Sequence, residues 1–175
     1  MKILILFTII TSISLFSCNK FDKAEVRPAF LKIDSFNLTT NLSSEGSNSN
    51  KIVDAWVYID DELVGTFDLP SLIPITKIGN RTIKIYPGIK KNGVSVDRKR
   101  YPFYKEYSFN QNLESDSTYI IEPNISYKDN LMIWVEDFED PSYKFNPYQS
   151  DTTLVRVTSP VNELFEGGAG LLTLS

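Results

Sequence analysis

Residues 51–60, Lys-Ile-Val-Asp-Ala-Trp-Val-Tyr-Ile-Asp, alternate with a period of two, and this pattern limits the fold more than any other. Val53, Ala55, Val57 and Ile59 fall on one side, with Asp54, Trp56 and Tyr58 on the other, which is the side-chain geometry of a strand. Apolar residues on both sides mark a central strand. Asp60-Asp61-Glu62 supplies a turn, and residues 63–67 return as the hairpin partner. Residues 29–38 set Leu31 and Ile33 against Lys32 and Asp34, and residues 81–86 send Ile83 and Ile85 inward. Residues 101–109 alternate Phe103, Tyr107 and Phe109 against Tyr104 and Glu106, and residues 117–122 form another short strand. Leu69-Pro70 and Ile73-Pro74 are expected to break pairing, because proline cannot donate to a ladder. Gly79-Asn80 reads as a turn, Pro87-Gly88 as a strand end, and Asn92-Gly93 as the strongest short turn signal. Residues 39–50, rich in serine and asparagine, read as a mobile loop. No stretch carries a sustained helical period with caps. The expectation is an all-β fold, an Ig-like or transthyretin-like sandwich of about seven strands over residues 29–128.

Ahead of the sandwich, residues 1–13 hold one positive charge and an apolar run too short for a comfortable span of ~20 residues, as in a secretory signal. Leu15-Phe16-Ser17-Cys18 resembles the lipobox of bacterial lipoproteins. The resemblance implies that Cys18, the only cysteine, is thioether-linked to diacylglycerol and becomes the acylated N-terminus. The alternative is a signal cut elsewhere that leaves Cys18 a free thiol. The division is therefore a signal peptide at 1–17, a tether at 18–28 and the sandwich at 29–128, with the membrane as a partner through the anchor.

Composition narrows the chemistry. Without residues 1–17 the chain keeps 17 of its 18 basic residues and all 22 acidic ones, a net charge of −5. Such a chain has no general electrostatic reason to bind nucleic acid. It contains no histidine, and its one cysteine is assigned to lipid. Ser-His-Asp and Cys-His catalysis, histidine zinc sites, thiol redox chemistry and disulfides all drop out. The expectation is a protein that is not an enzyme and carries no cofactor.

Three blocks extend the comparison. They are residues 51–70, residues 86–93 (Tyr-Pro-Gly-Ile-Lys-Lys-Asn-Gly) and residues 100–104 (Arg-Tyr-Pro-Phe-Tyr). In that order they resemble an uncharacterised family of Bacteroidota outer-membrane lipoproteins over roughly residues 29–140. The resemblance implies outer-membrane localisation and a β-sandwich, without an activity to carry over. A weaker similarity is to PEGA-type surface modules, through residues 57–61, Gly65 and residues 79–85. Asp22 and Glu25 are faintly like acidic surface-export signals, but Lys20 and Lys23 interrupt them, so a periplasmic and a surface-facing orientation both stay open.

Residues 81–105 hold eight basic residues and one acid, a charge of +7 that leaves −12 for the rest of the mature chain. Either these cations pair with acidic neighbours, or they form a patch for an anionic partner. Aromatic residues crowd the same region, and flat rings beside hydrogen-bonding groups suit a sugar-binding face. Trp56, Tyr86, Arg98, Arg100, Tyr101 and Tyr104 are the candidate ligand-binding residues, with Tyr101 and Tyr104 the best placed for exposure. The expected function is a lipid-anchored binding or scaffold module, with a glycan-binding accessory role around residues 86–107 as the alternative and a glycan or an envelope protein as partner. Glu136, Asp137, Glu139 and Asp140 are weak Ca²⁺ candidates, because their spacing does not match a twelve-residue calcium loop.

Residues 131–135 and 154–157 read as short strands, and glycines 167, 168 and 170 introduce another at 171–175. In the family resembled a second, jelly-roll-like β domain follows here, so residues 132–175 are expected to be its opening fragment; the alternative is that these strands complete the first sandwich. The anchor assignment is tested by Cys18→Ala. The variant should leave the membrane pellet on fractionation and carry no lipid, and retention of both would remove the anchor.

Overall fold

The alternating rows of the sequence become two facing sheets in a computed structural model, which describes residues 27–142, 144–145, 148–149, 154–158, 164 and 167–173. Cys18, the signal and most of the tether lie outside the described residues. The first sheet has the order β5 (Ser71–Ile75), β1 (Ala29–Ile33), β9 (Thr118–Ile121). It is extended by β2 (Asn37–Thr39) beside β10 (Asn124–Ser126). The second sheet runs β4 (Glu62–Asp68), β3 (Asp54–Ile59), β6 (Gly79–Lys90), with β7 (Arg98–Arg100) and β8 (Tyr107–Leu113) sharing the far side of β6. With β1 and β2 taken as one interrupted strand, and β9 and β10 as another, the all-β sandwich has seven principal strands plus the short β7.

Its core is the set of inward rows. Ala29, Leu31 and Ile33 of β1 face Ala55, Val57 and Ile59 of β3, with Ile73 and Ile75 of β5 and Ile83 and Ile85 of β6 completing one buried cluster. The β3–β4 hairpin turns on Asp60 and Asp61, both in the left-handed region at φ 53° and 65°, the geometry whose twist matches paired strands. Asn92 and Gly93, at φ 52° and 73°, make the first turn of the longer 91–97 connection between β6 and β7, closed by Val94 N–H donating to the Lys91 carbonyl at 3.0 Å, and Asp97 N–H donates to the Val94 carbonyl at 3.2 Å in the next.

Several local expectations are corrected. Pro87-Gly88 does not end β6, because the partner strand changes there. Residues 79–85 pair with β8 and residues 88–90 with β7. The Pro87 carbonyl accepts from Tyr101 N–H at 2.9 Å, so its nitrogen faces the same side, at the gap between two partners, where no N–H is demanded. Pro74 lies inside β5 rather than breaking it, and β5 is an edge strand that pairs only with β1 in its sheet. Gly79 opens β6 at φ 90° instead of forming a turn with Asn80. Within residues 39–50 a single helical turn, α1 (Leu42–Glu45), is capped by the Asn41 side chain on Ser43 N–H, while the Glu45 carboxylate accepts from Asn41 N–H at 2.7 Å.

Of residues 101–109 only the last three are strand, and residues 131–135 form none. Leu131, Met132, Ile133 and Trp134 instead lie along a cleft with the Tyr101, Phe103 and Tyr127 rings. β11 (Leu154–Thr158) and β12 (Gly168–Leu172) form an antiparallel hairpin, with Leu171 and Leu172 about half exposed. The strand expected at 171–175 thus begins earlier, at Gly168, and Leu174 and Ser175 lie outside the described residues. Arg156 holds the hairpin to the preceding segment by donating to the Phe138 and Glu139 carbonyls.

The inward row and the outer surface should respond differently to truncation. Ile85→Ala, at a fully buried site, is expected to cost about 2–5 kcal/mol in urea unfolding. Ile120→Ala, at 68% exposure, should stay within about 0.5 kcal/mol.

Candidate functional site

The outward residues of β3, β6 and β7 are where the sandwich departs from a plain solvated face. Asp54 is completely buried there, although Ala55, its neighbour on the inner face, is completely buried too. Its carboxylate lies over Gly88, its cross-strand partner. A Cβ on Gly88 would sit 1.6 Å from Asp54 Oδ1, so only glycine fits. Asp54 Oδ1 accepts from the Trp56 indole Nε1–H at 2.9 Å. Oδ2 has no hydrogen-bond partner, and its nearest cation is Arg98 Nη1 at 3.6 Å. Arg98 reaches across β6 to arrive there and also pairs with the exposed Asp68, which stands directly opposite Asp54 on β4. Two carboxylates in register repel, and the guanidinium placed against both offsets that repulsion.

One register step along, Trp56 faces Tyr86, and the two line a groove of about 560 Å³ with Lys99, Arg100, Tyr101 and Lys128. The Arg100 guanidinium carbon lies 4.8 Å from the Tyr86 ring centre and 5.6 Å from that of Tyr58, and the two rings meet edge to face at 5.3 Å. A guanidinium stacked in this way keeps its N–H edge directed away from the rings.

Ion pairing sorts the basic stretch into two groups. Arg81 pairs with Asp60, Lys84 with Asp61, Lys91 with Asp97, Arg98 with Asp54 and Asp68, and Lys105 with Asp129. Among the described residues Lys90, Lys99 and Arg100 of this stretch have no carboxylate within ion-pair distance; Lys99 and Arg100 line the groove together with Lys128, which is also unpaired, while Lys90 lines a separate cleft. Much of the stretch is therefore the dispersed, neutralised surface that sequence alone allowed, and two of its three unpaired cations meet at the groove.

Five of the six candidate residues, Trp56, Tyr86, Arg100, Tyr101 and Tyr104, come together at this groove. Arg98 does not line it and is committed to the two aspartates. The expectation that Tyr104 is well exposed is corrected. It is 8% exposed, its ring packed between Tyr101 at 4.4 Å and Tyr127 at 5.0 Å, and burial pushes its hydroxyl well above the usual tyrosine range. Asp54, Lys99 and Lys128 were missed. An aspartate two residues before a tryptophan, on a strand destined to pair with a Pro-Gly strand, was the available signal for Asp54, and it becomes informative only once the register is known.

The acidic run at 136–140 is not gathered about a point. The Glu136 carboxylate accepts from Phe138 and Lys144 N–H, Asp137 from Glu139 N–H, Glu139 from Gly168 N–H, and Asp140 from Ser142 N–H and Oγ–H. Among the described residues no group of three or more His, Cys, Asp or Glu is arranged to hold a metal ion, and no helix is long and apolar enough to cross a membrane.

Burial raises the Asp54 carboxyl above its ordinary value of 3.8, and this outweighs the Trp56 hydrogen bond and the Arg98 and Lys90 charges, which act to lower it. The folded state then holds this proton more tightly than the unfolded chain. Its contribution to stability is complete below the unfolded value, about 3.9, and is lost as pH rises through the raised folded value. The unfolding free energy of the wild type relative to Asp54→Asn should therefore fall across that window in urea melts at roughly pH 3 to 7. A difference that rises with pH would reverse the assignment.

Comparison of the chain with known proteins gives no match to a family model, a curated protein or a solved structure.

Proposed function

We propose that this chain is a lipid-anchored, non-enzymatic binding module of the bacterial outer membrane, and that its groove takes an acidic glycan. The observation that carries the reading is the coincidence, in one concavity, of the Trp56, Tyr86 and Tyr101 rings with Lys99, Arg100 and Lys128, which have no ion-pair partner among the described residues. Rings offer flat apolar surface to the C–H face of a sugar, and a few placed polar groups fix its orientation. Arg100, held against two tyrosines, offers a planar fork of donors to a carboxylate or a comparable anionic substituent. The lipobox-like Leu15-Phe16-Ser17-Cys18 supports the anchor, and the absence of histidine supports a role in binding over catalysis. A second reading, an envelope protein as partner, is favoured by the exposed Phe103, Met132 and Trp134 beside the groove.

Titration of the full chain in detergent with oligogalacturonate and with a neutral oligosaccharide of equal length separates the readings. Binding of the acidic probe should weaken with added salt, and Arg100→Ala should weaken it by roughly tenfold. No binding across a broad panel of acidic and neutral glycans would overturn the glycan assignment and leave the protein partner as the surviving reading.

A further inference from the structure

We propose that Asp54 and Arg98 are positioning residues for the groove, a latch that fixes one of its rings and the strand that carries two of its cations without either residue touching the ligand. The inference rests on the groove reading, and it begins from a side chain that reading does not use. A carboxylate with no exposed surface and one oxygen without a hydrogen-bond partner is a costly thing to build into a sheet face.

Two contacts leave Asp54, and each leads to the groove. Through Oδ1 it accepts the indole N–H of Trp56, which sets the rotation of a ring on the groove wall. Through Oδ2 it faces Arg98, whose side chain crosses β6 from β7. β7 is held to β6 by three residue pairs, Gly88↔Arg100, Ile89↔Lys99 and Lys90↔Arg98, flanked by one backbone bond at each end (Lys91 N–H to the Asp97 carbonyl, Tyr101 N–H to the Pro87 carbonyl), and it contains both Lys99 and Arg100. A short edge strand held by so few pairs is poorly defined by its ladder alone. The Arg98 guanidinium, drawn in by Asp54 and by Asp68, adds a fixed point at its start, and the Arg100 stack on Tyr86 and Tyr58 adds one at its end. Gly88 makes the crossing possible, because it leaves the space over β6 in which the Asp54 carboxylate lies.

The test uses the full chain with Trp134→Phe, so that Trp56 is the sole indole, and oligogalacturonate as the probe. Asp54→Asn keeps the acceptor for Trp56 and removes the charge facing Arg98. It should leave the indole emission unchanged, speed amide exchange at Lys99 and Tyr101, whose N–H groups face β6, and weaken probe binding by about tenfold. Arg98→Gln, at a partly exposed site, should do the same, and the double variant should be no worse than either single one. Asp54→Ala should shift the indole emission as well. The inference is overturned if Asp54→Asn and Arg98→Gln leave affinity within about twofold of a binding parent, or if their effects simply add. If the parent itself does not bind, the groove reading falls, and amide exchange on β7 decides the latch by itself. If the Asp54 variants fail to fold, Arg98→Gln carries the same comparison.

Discussion

Everything in this molecule hangs on the dryness of one interior layer, which is filled from both sheets by side chains spaced two apart. Leu31, Ile33, Val57, Ile59, Ile73, Ile83 and Ile85 have no exposed surface, and they come from four strands distant in sequence. Because the side-chain period is exactly matched to the pleat, a slip of one residue in any of these strands would turn its apolar row to water. Register is thereby fixed for the outer face too, at no separate cost. The placing of Trp56 beside Tyr86, and of Asp54 over Gly88, is inherited from the demand that Val57 and Ile85 point inward.

What could be read from sequence was what depends on near neighbours. The two-residue alternation of 53–59 and 81–86, the Asp60-Asp61 turn and the Asn92-Gly93 turn are all local, and each is found as expected. What could not be read depends on the identity of a partner strand. Pro87 stops nothing, because β6 exchanges β8 for β7 at that residue. Pro74 stops nothing, because β5 lies at an edge. The parallel pairing of β1 with β9 joins segments some ninety residues apart and leaves no mark in either. Residues 131–135 are an apolar run of a strand's length and have no strand partner among the described residues.

The groove was half legible for the same reason. Aromatic and basic residue types clustered in sequence, and most of the chosen ones do meet. Exposure was misjudged at Tyr104, which packs against Tyr127 across an isolated bridge, and Arg98 lies against aspartates from β3 and β4 instead of lining the groove. Sorting the cations of residues 81–105 into those with and without carboxylate partners required the fold, because every such partner outside the β6–β7 hairpin is remote in sequence.

The Asp54 carboxylate and the missing side chain of Gly88 occupy one volume between them. Neither position can therefore be altered as though the other did not exist. A side chain gained at 88 collides with the Asp54 carboxylate and comes within 2.9 Å of the Trp56 indole nitrogen, and a shrunken 54 leaves an unfilled hollow and a stranded indole N–H. The two positions are separated by thirty-four places in the chain and behave as a single locus. In a lineage that carries this arrangement they would be expected to change together or not at all, with each one-step intermediate less fit than either end.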